Sequence, residues 1–189
     1  MLSGSRETGA AGLLLASPNN PTGTMALNPR LAEIAEACRR HRLWLISDEI
    51  YHGLEYEAPA ETALAHSDEA IVVNSFSKYF SMTGWRIGWL IVPEGLVRPM
   101  SGSPRISTSR RPPFLPADGA FYLYADVSRL TGDSEAFAKT MLKDIGVAVT
   151  PGIDFHSERG RSYVRFCYAG PEPRMREAAG RISGWLKGK

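Results

Sequence analysis

GLLLASPNNPTGTMALNPRLAEIAEACRRHRLWLISDEI, residues 12–50, decides the fold. The apolar run from Leu13 to Ser17 reads as a buried strand. Asn28 then stands as a helix N-cap with Pro29 at the first helical position, and Leu31, Ile34, Ala35 and Cys38 recur at helical spacing. Leu43 to Ile46 follows as a second buried strand. A strand, helix, strand series with apolar residues on both strand faces predicts a parallel sheet with a right-handed crossover. The runs Ala70 to Val73 and Trp89 to Val92 add a third and a fourth strand.

Outward from this block the composition changes once, at RPMSGSPRISTSRRPPFLPA, residues 98–117, which holds five of the chain's 13 prolines and no acidic residue. Each proline removes a backbone donor and restricts its neighbour, so this window reads as an irregular junction unable to propagate helix or central strand. Beyond it the pattern is α+β. Phe121 to Val127 reads as a strand, and Ser134 to Ile145 as a helix with Phe137, Met141, Leu142 and Ile145 on one face and Gly146 as its C-cap. Strands at Val147 to Val149 and Ser162 to Tyr168 follow. A closing helix from about Glu172 turns Met175, Ala178, Ala179, Ile182, Trp185 and Leu186 to a core. The organisation is thus a sheet domain over 1–97, a junction over 98–117 and a small C-terminal domain over 118–189.

The 189 residues carry 22 Lys and Arg against 20 Asp and Glu, a net charge of +2. Such a balance offers no positive field to a nucleic acid or an anionic membrane. No apolar run is long enough to span a bilayer. The two cysteines, Cys38 and Cys167, form no disulfide framework or metal spacing; they read as packing residues in a reducing cytoplasm. The four histidines show no ligand spacing, so no metal is expected. Gly84 and Gly88 lack the turn and acidic residue of a dinucleotide fingerprint. The Ser-Gly-Ser triplets at 3–5 and 101–103 lie between no strand and helix and read as flexible.

Three apolar runs end in polar residues that packing does not explain: SPNNPTG (17–23), SDEIYHG (47–53) and NSFSK (74–78). In open α/β sheets the ligand crevice lies outside the carboxyl ends of the strands, which gathers Asn20, Asp48, Tyr51, Ser75 and Lys78 at one site. A lysine amine near a second cation such as Arg86 is disfavoured as an ammonium and suits Schiff-base chemistry with a carbonyl. A buried Asp48 holds a pyridine nitrogen protonated, Asn20 and Tyr51 donate to a phenolic oxygen, and Ser75 and Arg86 suit a phosphate. Pyridoxal 5'-phosphate combines these features.

SPNNPTG, SDEIYHG and NSFSKYFSMTGWRIGW together resemble, in order and spacing, the signature blocks of the class I/II pyridoxal-phosphate aminotransferases of fold type I. The resemblance runs from about Leu13 to Val97 and from Asp118 to the C-terminus. It implies an α/β fold: part of a fold-type-I large domain, a mostly parallel sheet with helices, plus a small α+β domain. It implies transfer of an amino group between an amino acid and a 2-oxo acid through a Schiff base on Lys78, which also carries the α-proton. By the same resemblance Asp48 pairs with the ring nitrogen, Asn20 and Tyr51 bind the ring hydroxyl, and Ser75 and Arg86 hold phosphate. Gly119-Ala120-Phe121-Tyr122 and Thr150-Pro151-Gly152 are similar to small-domain motifs, and Arg165 to the arginine that binds the substrate α-carboxylate with Asn20. A homodimer is the implied assembly.

Two parts of the family pattern have no counterpart here: the N-terminal half, with much of the phosphate cup, and the helices that link the domains at 98–117. The expected sheet therefore exposes an edge and an apolar face. Two alternatives accompany the aminotransferase reading: an inactive fragment or interaction module using that surface, and a lyase or synthase on the same scaffold.

Overall fold

A computed structural model of the chain describes residues 9–100 and 117–187. Most of the expected junction, 101–116, lies outside the described residues. The described residues fall into two compact units: one holds most of the chain up to Met100 together with Asp118–Ala120, the other holds Asn20–Gly23 and the chain from Phe121 onward.

The first unit is built on a four-stranded sheet of β1 (Gly12–Ala16), β2 (Trp44–Asp48), β3 (Ile71–Ser75) and β4 (Gly88–Ile91), in that spatial order. β1, β2 and β3 run parallel, with Leu14 opposite Ile46 and Asp48 opposite Val73. β4 runs antiparallel to β3, with Asn74 opposite Trp89, so the sheet is mixed. Helix α1 (Arg30–His41) connects β1 to β2 and lies on one face. Leu31, Ala35 and Cys38 of α1 pack with Leu45 and Val72, and Leu13 and Leu15 border them. These positions alternate along the strands, as a pleated sheet with one covered face requires.

The other face is not buried as expected. Leu14 is 46% exposed, Trp44 44% and Leu90 48%, and all four β4 residues are exposed. The apolar runs thus reflect a sheet of which only one face is covered among the described residues. The start of α1 is also corrected: Pro29 occupies the N-cap position, no side chain caps the helix, and Asn28 lies one residue outside it. α1 ends on Arg42 in the left-handed region, with Leu43 N donating to Cys38 O. Helix α2 (Glu94–Met100) runs into the first three residues of the window expected to carry no helix.

The second unit holds a three-stranded antiparallel sheet, ordered β5 (Tyr122–Asp126), β7 (Tyr163–Cys167), β6 (Thr150–Pro151). Helix α3 (Ser134–Ile145) has the boundaries expected of it. Asp133 caps it, its carboxylate accepting from Glu135 N and Ala136 N, and Gly146 closes it at φ +66 by donating to Leu142 O. Phe137, Ala138 and Met141 are buried, whereas Leu142, read as core-facing, is 54% exposed because it falls outside the 137, 138, 141 stripe. Val147 to Val149 form no strand; Val147 and Val149 instead pack beside Val127, Phe137, Met141 and Val164.

Helix α4 (Glu172–Leu186) contributes Ile182 and Trp185 to that core, with the Trp185 indole donating to Asp144 Oδ2 at 2.9 Å. No residue of α4 is fully buried, and Ala179 and Leu186 are exposed, against the expectation of a continuous core face. Cys38 is buried as expected, and burial pushes its thiol up; Cys167 is exposed, so it is not a packing residue. No described helix is long and apolar enough to cross a membrane.

Candidate active site

Parallel β1, β2 and β3 end together, and their carboxyl ends lead into the three polar blocks. The first block turns sharply: Asn19 N donates to Thr24 O at 2.9 Å, and Gly23 takes φ +72, a value glycine adopts without steric cost. Buried Ser17 anchors the turn by accepting from Ala26 N through Oγ and by donating its own N–H to Asp48 O.

Asp48 closes β2. Its Oδ1 accepts from Ile50 N at 3.2 Å. Burial holds its carboxyl above the usual carboxylate range; Glu49 pushes the same way, while the Ile50 N–H, Lys78 and His52 pull it down. Three residues on, Tyr51 is buried at 4% exposure. A side chain at Gly53 would meet the ring of Tyr79, so this glycine lets the turns after β2 and β3 pack directly together.

Lys78 sits on the turn after β3, which folds back on itself. Met82 N donates to Phe76 O, Ser81 N to Lys78 O, and Thr83 Oγ1 to Ser77 O at 2.7 Å. Lys78 Nζ stands 5.7 Å from the centroid of the Tyr51 ring, on the side of β2 that ends in Asp48. The structure therefore gathers Asp48, Tyr51 and Lys78 at adjacent strand ends of one unit. Ser75 Oγ accepts from Ser77 N and donates to Ile87 O, and exposed Arg86, at φ +56, donates from Nη1 to Thr83 O. The bonds of both residues stay within the loop joining β3 to β4.

Asn20 belongs to the second unit, with Arg165. Arg165 rises from β7; Nη1 donates to Asn20 Oδ1 at 2.8 Å and Nη2 to Thr150 Oγ1 at 3.1 Å. Its guanidinium carbon lies 4.2 Å from the Tyr122 ring centroid and 4.8 Å from that of Phe155, so two aromatic faces fix the fork. Gly152, in the Thr-Pro-Gly motif, approaches the backbone of Gly160 and Tyr163 too closely for any side chain. The Gly-Ala-Phe-Tyr motif is likewise placed by contact: a Cβ at Gly119 would meet Pro18.

Five residues around these sites were not singled out from sequence. Glu49, buried beside Asp48, had a readable signal, since Leu45, Ser47 and Glu49 alternate onto the core side of β2. His52 follows it in the same turn. Thr150 and Tyr122 were read only as members of the small-domain motifs, and Phe155 had no signal, because their approach to Arg165 is set by strand register and aromatic packing.

Comparison with known proteins finds relatives of one family. A family model described as aminotransferase class I and II matches residues 2–111 and 108–182, the two stretches meeting inside the proline-rich window. The valine–pyruvate aminotransferase of Mycobacterium tuberculosis is 41% identical over 93% of this chain and 57% of its own length. Aromatic-amino-acid aminotransferase 2 of Thermococcus litoralis is 29% identical over 94% of this chain. Among solved structures, an aminotransferase from Mycobacterium tuberculosis superposes with a TM-score of 0.82 at 39% identity, over 95% of this chain and 58% of that one. The aspartate aminotransferase of Thermotoga maritima does so with a TM-score of 0.77 at 26% identity, over 93% and 56%. The chain thus spans less than three fifths of the length of the relatives it matches.

Proposed function

The chain belongs to the class I and II aminotransferases, and from that premise we propose that it moves an amino group between an amino acid and a 2-oxo acid with pyridoxal 5'-phosphate as cofactor. The observation that carries this reading is the approach of Lys78 Nζ to the Tyr51 ring beside the strand end occupied by Asp48.

The residues present fit the cofactor. Asp48 is a carboxylate whose burial is only partly offset by its neighbours. A protonated ring nitrogen is the kind of cation that offsets such a penalty. Tyr51 presents a phenol at the same strand end, and the exposed guanidinium of Arg86 with Ser75 supplies donors suited to a phosphate. When bound, pyridoxal phosphate supplies an aldehyde that condenses with amines and a ring that accepts electrons.

The chain's own residues divide the remaining work. Lys78 Nζ would act as the base that removes the α-proton of the donor amino acid and, in the separate half-reaction with the 2-oxo acid, as the acid that delivers a proton to that acceptor's α-carbon. Asp48 holds the proton on the ring nitrogen. Tyr51 and Asn20 orient the ring hydroxyl. Arg165, set flat by Tyr122 and Phe155, grips the substrate α-carboxylate with its planar fork. A homodimer and a cytoplasmic setting belong to the same reading.

Incubation with pyridoxal phosphate, borohydride reduction and peptide mapping tests the proposal. A stable pyridoxyl adduct on Lys78 is expected, and its absence there overturns the reading. Valine with pyruvate, the pair in the name of the Mycobacterium tuberculosis relative, is the first pair to assay. Formation of 2-oxo acid with matching amino transfer distinguishes the reaction from elimination.

A further inference from the structure

Glu49 is 3% exposed and ionisable, and the chemistry above does not use it. Its Oε1 accepts from Ser47 Oγ at 3.1 Å, Thr62 Oγ1 at 3.0 Å and Ala63 N at 2.8 Å. Three donors saturate one oxygen, so Oε2 needs a partner of its own in this buried place. His52 faces it, its Nδ1 3.5 Å from Oε2, an ion pair when the imidazole carries a proton on both nitrogens.

The other ring nitrogen fixes the orientation. His52 Nε2 lies 3.1 Å from the carbonyl oxygen of Ser17, which only accepts, so Nε2 carries a proton. The ring is thereby held between a carbonyl on the β1 turn and a carboxylate at the end of β2. Backbone bonds repeat the link: His52 N donates to Glu49 O, Glu49 N to Val73 O, and Ser17 N to Asp48 O. One carboxylate and one imidazole thus connect the ends of β1 and β2 with the Thr62 turn. Tyr51 lies between the two in sequence, and Asp48 directly precedes Glu49.

We propose that Glu49 and His52 are a positioning pair, the His52 ring clamped between Ser17 O and Glu49 Oε2 so as to fix the turn that presents Asp48 and Tyr51. The proposal rests on reading those two residues as cofactor contacts, yet it is tested on the chain without cofactor. The charged groups facing the Asp48 carboxylate are Glu49, Lys78 and His52, and the Ile50 amide reports its placement.

Hydrogen exchange at the Ile50 amide and titration of the Asp48 carboxyl, both by NMR, are compared in wild type, His52→Ala and His52→Gln. Leu45 in the body of β2 is the control. His52→Ala is expected to speed Ile50 exchange about tenfold with Leu45 unchanged, and to raise the Asp48 midpoint because the pull of His52 on that carboxyl is lost. His52→Gln still reaches the Ser17 carbonyl through its amide nitrogen; it is expected to keep Ile50 protected while sharing the raised midpoint. Ile50 rates within about twofold of wild type in His52→Ala, or an equal rise at Leu45, would overturn the proposal. If His52→Ala does not fold, Glu49→Gln takes its place, and unchanged Ile50 exchange there overturns the pairing. Borohydride labelling of Lys78 in the wild-type chain separates the two questions: a missing label removes the cofactor reading, while the exchange rates still decide the pairing.

Discussion

Arg165 Nη1 donates to Asn20 Oδ1 across 2.8 Å, joining residues 145 apart in sequence. With Thr150 on Nη2 and rings of Tyr122 and Phe155 against its carbon, the guanidinium has one plane and one direction. Lysine has neither the fork nor the plane. Hydrogen bonds to charged groups contribute roughly 1.5 to 3 kcal/mol each. Arg165→Lys is therefore expected to raise the dissociation constant of a 2-oxo acid about ten- to a hundredfold, read by calorimetry. An unchanged constant would remove Arg165 from carboxylate binding.

Asp48 gives a prediction whose sign follows from linkage. Burial raises its pKa in the folded chain, so between the unfolded value and that raised value the folded state holds more protons than the unfolded one. Stability then falls as pH rises through this window, and the full penalty persists at neutral pH. Asp48→Asn, which keeps an oxygen for the Ile50 amide, is expected to unfold at higher urea than wild type at neutral pH. The gap should shrink as pH falls toward the ordinary carboxylate range. A site that loses stability in order to keep a charge is a common cost of function. Denaturation midpoints at several pH values check it, and an Asn variant less stable at neutral pH would contradict it.

Gly160 and Gly152 touch backbone to backbone, in a place where a Cβ on either would collide with the other's main chain. Neither contact can relax by a side-chain rotation. Overpacking a core commonly costs about 1 to 3 kcal/mol, and a collision with backbone lies at or beyond the top of that range. Gly160→Ala is expected to lower stability by about 3 kcal/mol or more. The loss of protection should appear in the β6 to β7 region before α1, as measured by hydrogen exchange, because α1 belongs to a different core.

The fold was readable where local chemistry and burial agree. Helix α3 carries its own start and stop, Asp133 and Gly146, and its limits came out as expected. Helix α1 did not, because Asn28 before Pro29 satisfies the same capping rule without sitting at the cap. β2 and β3 were placed one or two residues early, because the apolar runs mark what is buried whereas pairing continues into Asp48 and Ser75, and β1 and β4 were placed one residue late. Antiparallel β4 could not be told from a parallel strand, since an apolar run carries no direction. At the site, Asp48, Tyr51 and Lys78 were legible as polar strand ends. The Arg165 surroundings were not, since Thr150, Tyr122 and Phe155 converge only through strand register and aromatic packing.

Asp133 offers the test of that local legibility. Its carboxylate accepts from two N–H groups, those of Glu135 and Ala136, that the helix itself leaves without partners. Thr131 supports it, its Oγ1 accepting from Asp133 N at 2.9 Å. Replacing an N-cap by alanine costs about 1 kcal/mol, and by asparagine much less, because the amide oxygen still accepts. Asp133→Ala is expected to lower the unfolding free energy by about that amount and Asp133→Asn to recover most of it. Because α3 supplies Phe137 and Met141 to the second core, the loss should be shared by the indole fluorescence of Trp185, which packs on Phe137 at 5.3 Å. Equal midpoints for wild type and Asp133→Ala would mean that tertiary packing, and not the cap, sets where this helix begins.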